Sequence, residues 1–188
     1  MAEVNLGNIL YQANRIPEAM DLFKQAERTK PALAHYSLGN SLFNKGRTSE
    51  AIEQYEEALR IDPNYAEAHS NLGNVLFQTG RLSEAMDQYR ESLRIDPQFA
   101  AAHNNLAIAL VQTGQVSEAI DHYKQSLQIS PNSAYTHSNL GAALAQMGRI
   151  PEAIEELKAA LRINPYDSDA RNNLTHLEAQ QKKTPAKK

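Results

Sequence analysis

Apolar and polar positions along the chain follow a helical period, interrupted at regular intervals by glycine and proline. In AEAHSNLGNVLFQTG, residues 66 to 80, the apolar residues fall on one side of a helix that runs up to a glycine suited to a C-terminal cap. The stretch that follows, RLSEAMDQYRESLRIDP, predicts a second helix with Ser83 and Glu84 in its first turn and an end at Pro97. Pro17 and Pro151 occupy the equivalent first-turn place in other segments, where a missing amide hydrogen costs little. The pattern therefore predicts an all-α chain built from helix pairs.

These pairs recur every 34 residues over most of the chain. Gly7, Gly39, Gly73, Ala107 and Gly141 form one column, which Thr175 closes. Ala19, Ala51, Ala85, Ala119 and Ala153 form a second, and Phe23, Tyr55, Tyr89, Tyr123 and Leu157 a third. Pro31, Pro63, Pro97, Pro131 and Pro165 form the fourth. The expected units are about 1–31, 32–65, 66–99, 100–133 and 134–167, with a capping helix at 168–181 and a disordered Lys-rich tail at 182–188. One pair of this size cannot bury its apolar face alone, and stacking the next pair on it completes a core.

The four columns resemble the tetratricopeptide repeat, whose Leu-Gly, Ala, aromatic and Pro positions return at this period. The resemblance covers residues 2 to about 180 and implies a right-handed α-solenoid of stacked antiparallel helix pairs forming a single domain over 1–181. The Trp usual four residues before the glycine column is replaced by Glu3, His35, His69, His103, His137 and Arg171. Two further departures stand out. Pro31 to Gly39 is two residues shorter than Pro63 to Gly73, and Glu27 and Thr29 replace residues such as Leu59 and Ile61. This predicts a looser or differently angled junction between the first two units. At the other end Glu178 stands where Leu76, Leu110 and Leu144 stand earlier, which predicts a polar cap.

At about 100° per residue, Leu72, Gly73 and Leu76 form the core stripe of a first helix, with the His column on the same side. Facing away lie Asn5, Asn71, Asn105, Asn139 and Asn173, a row broken only by Ser37. Beside them stand Asn8, Asn40 and Asn74, and then Gln12, Asn44, Gln78, Gln112, Gln146 and Gln180. Tyr11, Phe43 and Phe77 join this face early and give way to Val111, Ala145 and Ala179, with Tyr36 and Tyr135 as further wall residues. By resemblance, the face is the concave groove of the array. A side-chain amide offers a donor and an acceptor to a peptide backbone. With helices roughly 8–10 Å apart and an extended chain rising roughly 3.3 Å per residue, one Asn meets about every third peptide residue. The row is similar to the asparagine ladder of superhelical tetratricopeptide arrays of the O-linked N-acetylglucosamine transferase type, which holds substrate backbone. No segment resembles the catalytic region of such an enzyme. The alternative reading is that the amides cross-link neighbouring helices or solvate a surface.

Composition narrows the function. The formal charge is −3, and without the four lysines among residues 182–188 the body carries −7, which argues against a nucleic-acid partner. The chain has no cysteine, hence no thiolate metal site, disulfide or cysteine nucleophile. No apolar run reaches the roughly 20 residues of a membrane span, and no signal-like segment opens the sequence, so a cytoplasmic location is favoured. Imidazoles roughly 8–10 Å apart on successive helices cannot share a zinc whose His ligands sit at about 2 Å; the His column is expected to pack in place of Trp. Glu50, Glu84, Glu118 and Glu152 open second helices, where the helix dipole favours an anion. The NLT sequence at 173–175 matches a glycosylation sequon without a secretory context. Val4, Tyr36, Ser70, Asn104 and Ser138 occupy the places where a chaperone-tail clamp carries its first Lys, which excludes that ligand.

The expected function is a non-enzymatic scaffold, without cofactor or metal, that takes up an extended or helical peptide segment of a partner protein. Two alternatives are the noncatalytic, substrate-selecting part of a larger enzyme such as a glycosyltransferase, and a structural solenoid that self-associates through an uncapped amino-terminal pair.

Overall fold

The computed structural model describes residues 2–183. Helices account for all the regular structure among them: α1 (Ala2–Gln12), α2 (Ile16–Glu27), α3 (Pro31–Asn44), α4 (Thr48–Ile61), α5 (Ala66–Gln78), α6 (Leu82–Ile95), α7 (Ala100–Gln112), α8 (Val116–Ile129), α9 (Ala134–Gln146), α10 (Ile150–Ile163) and α11 (Ser168–Lys183). The chain packs as two compact units that divide after Pro97. In the first, α1 pairs with α2, α3 with α4 and α5 with α6, while α1, α3 and α5 also touch side by side. In the second, α7 pairs with α8 and α9 with α10, and α11 lies against α10 and α9.

Each first helix is stopped by a left-handed residue. Gly46, Gly80, Gly114 and Gly148 have φ of 74°, 78°, 81° and 72°, and Asn14 takes the same role at 62°. The amides of Gly80 and Arg81 then turn back to the carbonyls of Phe77 (3.0 Å) and Leu76 (2.9 Å), satisfying two helix-end acceptors.

The glycine and aromatic columns are two halves of one contact. A Cβ on Gly39 would lie 2.8 Å from the Tyr55 ring, one on Gly73 2.6 Å from the Tyr89 ring, and one on Gly141 2.7 Å from Leu157 Cγ. Without it the first helix lies directly on the aromatic ring of the second. The alanine column is fully buried for the same reason, and Leu72, Leu76, Leu106, Leu110, Leu140 and Leu144 complete the stripe. Burying each such leucine is worth about 1.5–3 kcal/mol.

The first pair departs from this frame where the sequence predicts. Counted from the alanine column, α2 ends eight residues after Ala19, whereas α4 ends ten after Ala51. Thr29 is exposed where the other units have isoleucine, and its hydroxyl donates to the Ala26 carbonyl at 3.2 Å. Pro31 is drawn into α3 as its first residue, a place where its missing donor costs nothing. Val4, Ala26 and Ala34 close a small core there, with Leu33 against it. A cavity of 210 Å³ beside Met20, Phe23, Leu38 and His35 is left unfilled.

On the outer side of α1, Leu6 and Ile9 are exposed, at 48% and 61%. At the opposite end α11 buries Ala170 and Leu177 and turns Glu178 toward Lys158, 3.8 Å away. The polar substitution thus forms an ion pair with α10 where earlier units have leucine. Helix α11 takes in Lys182 and Lys183, which the sequence assigned to the tail. Residues 184–188 of that tail lie outside the described residues.

Candidate functional site

In the first unit the amides facing away from the core stripe are bonded to one another. Asn71 on α5 sends both amide hydrogens to α3, one to the Tyr36 hydroxyl (3.1 Å) and one to Asn40 Oδ1 (2.8 Å). Asn40 Oδ1 also accepts from the Tyr55 hydroxyl at 2.7 Å. Asn74 donates weakly to Asn71 Oδ1 (3.4 Å) and accepts from the Tyr89 hydroxyl at 2.9 Å. Nearer the amino terminus, Ser41 donates to Asn8 Oδ1 (3.0 Å) and Arg47 Nη1 to the Tyr11 hydroxyl (3.0 Å). Each bond is worth about 0.5–1.5 kcal/mol net, and several link successive first helices. Burial pushes the Tyr55 and Tyr89 hydroxyls far above the ordinary tyrosine range, and the nearby Tyr36 phenol adds to the effect at Tyr55. These phenols act as neutral donors. Tyr36 also packs against Tyr65, with ring centroids 4.8 Å apart and the rings tilted by 39°.

The second unit repeats the helices without the equivalents of the two bonds that Asn71 makes. The partners that Asn71 finds 35 and 31 residues earlier correspond, for Asn139, to Asn104 and Ile108. Asn104 Oδ1 accepts from the Thr136 hydroxyl (3.2 Å), its Nδ2 donates to Asn105 Oδ1 (3.1 Å), and isoleucine offers no acceptor. Asn139 Nδ2 is consequently buried without a hydrogen-bond partner, a condition that costs about 1–3 kcal/mol. Other atoms of Asn139 help line a cavity of 230 Å³ with Ile108, Val111, Tyr123, Tyr135, Ala142 and Gln146 among others. A larger cavity of 650 Å³ between α9, α10 and α11 contains Asn173 and shares Ala142 and Gln146 with the first. A third, of 740 Å³, opens beside Asn104, Asn105 and Thr136 at the start of α9.

Family models agree with this arrangement of helix pairs. Models described as TPR repeat match residues 39–80, 73–114 and 109–148, and tetratricopeptide repeat models match 134–167 and 4–26. The chain belongs to the tetratricopeptide repeat family. No curated protein matches it in sequence. Among solved structures it is similar to YrrB, described as a TPR protein with an unusual peptide-binding site, at 23% identity and a TM-score of 0.73 over 92% of this chain and 90% of that one. It is also similar to PilF of Pseudomonas aeruginosa, at 19% identity and a TM-score of 0.80 over 97% and 90% of the two chains. A third is the thermophilic TPR protein TTC0263 of Thermus thermophilus, at 24% identity and 0.68 over 95% and 98%. The fold is thus the all-α array of stacked helix pairs that the columns implied, and the tetratricopeptide repeat is a scaffold for protein–protein interaction, generally without catalysis of its own.

Within this tetratricopeptide frame the expected groove residues fall into three groups. Asn5, Gln12, Gln78, Gln112, Gln146 and Asn173 are exposed; Tyr36, Asn40, Phe43, Asn74 and Phe77 are half-buried, as are Asn8, Asn71, Asn105 and Asn139. Tyr11 departs from expectation. It is only 1% exposed, because its ring turns into the core and only its hydroxyl meets Arg47, so it presents no groove surface. Tyr135, by contrast, is 60% exposed and borders the Asn139 cavity. Ile108, Tyr123 and Ala142 line that cavity although sequence reasoning passed them over. The signal was available: the column Asn8, Asn40, Asn74 becomes Ile108 and Ala142.

The His column is more polar than simple replacement of Trp suggests. Across each pair a ring Nδ1 meets a side chain 19 residues on: Gln54 at 2.8 Å from His35, Gln88 at 2.7 Å from His69, His122 at 2.9 Å from His103, and Glu156 at 2.6 Å from His137. His69 and His137 also donate from Nε2 to the carbonyls of Pro63 and Pro131. These histidines tie the two helices and the preceding turn of one TPR unit together. Among the described residues no cluster of three or more His, Cys, Asp or Glu is placed to hold a metal ion, and no helix is long and apolar enough to cross a membrane.

Proposed function

We propose that this tetratricopeptide array binds an extended segment of a partner protein along the exposed face of its first helices, using neutral side-chain amides against the peptide backbone. One observation carries the reading. The exposed column of Gln12, Asn44, Gln78, Gln112, Gln146 and Gln180 carries a neutral amide in every repeat and no Lys, Arg, Asp or Glu. A solvated face of an acidic protein has no reason to avoid charge so consistently, whereas a surface for backbone and apolar side chains does. The exposed amides Gln12, Asn44, Gln78, Gln112, Gln146 and Gln180 offer donor and acceptor together. The description of YrrB as having a peptide-binding site supports the same reading.

The asparagine ladder enters this proposal in reduced form. Asn71 spends its donors on Tyr36 and Asn40, so it serves the joint between α3 and α5. Selection of a random twelve-residue peptide library on the whole chain tests the reading. Enrichment of extended, weakly charged peptides is expected, with micromolar-class affinity that changes little as salt rises from about 0.05 to 0.5 M, since screening acts on charge pairs. Failure to enrich any peptide, or binding that collapses with salt, would contradict it.

A further inference from the structure

Three of the four histidine joints keep their bond when the ring is charged, and one does not. Gln54, Gln88 and Glu156 set an oxygen against the Nδ1 of His35, His69 and His137, and such an oxygen accepts from an imidazolium as well as from a neutral ring. The fourth joint sets nitrogen against nitrogen. His103 Nδ1 on α7 lies 2.9 Å from His122 Nδ1 on α8, with ring centroids 5.2 Å apart. A single hydrogen fits between those atoms, so one ring donates and the other keeps a bare Nδ1 to accept. Whatever either ring touches through Nε2, the pair carries at most one positive charge while the bond lasts. His103 is buried and His122 half-buried. A second charge would therefore sit against a like charge in the interior or force the rings apart, and both weaken the contact of α7 with α8.

The ionisable groups around the pair are few. Helix α7 has none besides His103. On α8, Glu118 stands exposed one turn before His122, Asp121 and Lys124 lie near Arg149 and Glu152, and Tyr123 is buried. Helix α9, which packs against both, brings Tyr135 and His137, the latter joined to Glu156. In the first unit Glu57 and Glu91 lie close enough to His35 and His69 to feel their charge, and at the corresponding place on α8 stands the neutral Gln125.

We infer that the His103–His122 contact is an acid-sensitive joint, which a second proton breaks below about pH 6, loosening α7 from α8 while the helix pairs of the first unit hold. Unfolded, both imidazoles take up protons near the ordinary value of about 6.5, whereas the folded pair takes up one at most. The contribution of the joint is thus complete above that value and is lost as pH falls through it.

Urea denaturation of the full chain at about pH 7.5 and about pH 5 brackets this range. A deficit of one proton should raise the unfolding constant roughly twentyfold between the two. His122→Gln, which copies Gln54 and Gln88, should remove that rise, and comparison of the two chains cancels the carboxylates they share. Histidine side-chain ¹⁵N spectra and amide exchange of the wild-type chain give a second reading, which stands if the variant fails to fold. In acid, one Nδ1 of the pair should stay without hydrogen as long as the chain is folded, and α7 and α8 should lose protection before α3 to α6. Equal pH dependence of the two chains would overturn the joint. So would two fully protonated rings in a wild-type chain whose α7 and α8 remain as protected as at neutral pH.

Discussion

A methyl group separates Gly73 from Ala107, which share one column of the repeat. At Gly73 an added Cβ falls 2.6 Å from Tyr89 Cε1, and the ring cannot swing aside without stretching its hydroxyl bond to Asn74. Opposite Tyr123 the residue equivalent to Asn74 is Ile108, so no such tether opposes adjustment to Ala107. Gly73→Ala is therefore expected to cost about 1–3 kcal/mol, the range for overpacking. Adding Asn74→Ile, which copies residues 107 and 108, should recover much of the loss. Urea denaturation of the single and double variants reads both numbers; a single variant as stable as wild type would show that the tether does not matter.

Between helices, the buried phenols make stability depend on alkaline pH. Burial holds Tyr55, Tyr89 and Tyr123 protonated well above the ordinary value near 10, and pushes Tyr65 up to about 12. A folded-state pKa raised above the unfolded one means that the contribution is complete below about pH 10 and is lost as pH climbs beyond it. At least these three of the eight tyrosines should ionise only together with loss of helix, when absorbance at 295 nm is followed beside circular dichroism through an alkaline titration. Independent titration of all eight before unfolding would be the contrary result. The elements themselves were legible in the sequence, because glycine caps, proline stops and the 3.6-residue period act locally. The irregular spacing around Pro31 and the substitutions Glu27 and Thr29 were legible too, although the earlier end of α2 that accompanies them was not foreseen. What escaped was partner choice. The direction of the Tyr11 ring and the links of His35, His69, His103 and His137 to residues 19 positions on depend on the packing angle within each pair, which no single helix encodes.

Across the whole chain, one column of asparagines meets two environments. In the first unit Asn71 and its neighbours hold α3, α5 and α6 together through a polar network. In the second, loss of Tyr36 and Asn40 equivalents leaves Asn139 Nδ2 buried without a partner. Periodicity alone presents the two residues as identical, and only the residues 35 and 31 places earlier tell them apart. The most direct measurement compares Asn71→Ala with a triple variant in which Gln78, Gln112 and Gln146 become Ala, reading thermal stability and the dissociation constant of a library-selected peptide for each. Asn71→Ala should lower stability by about 1–3 kcal/mol, the cost of unpaired buried groups, with the dissociation constant within twofold of wild type. The triple glutamine variant should weaken peptide binding at least roughly threefold while the melting temperature stays in place, since all three side chains are exposed. Weakened binding by Asn71→Ala together with undiminished binding by the triple glutamine variant would contradict peptide capture by the exposed amides.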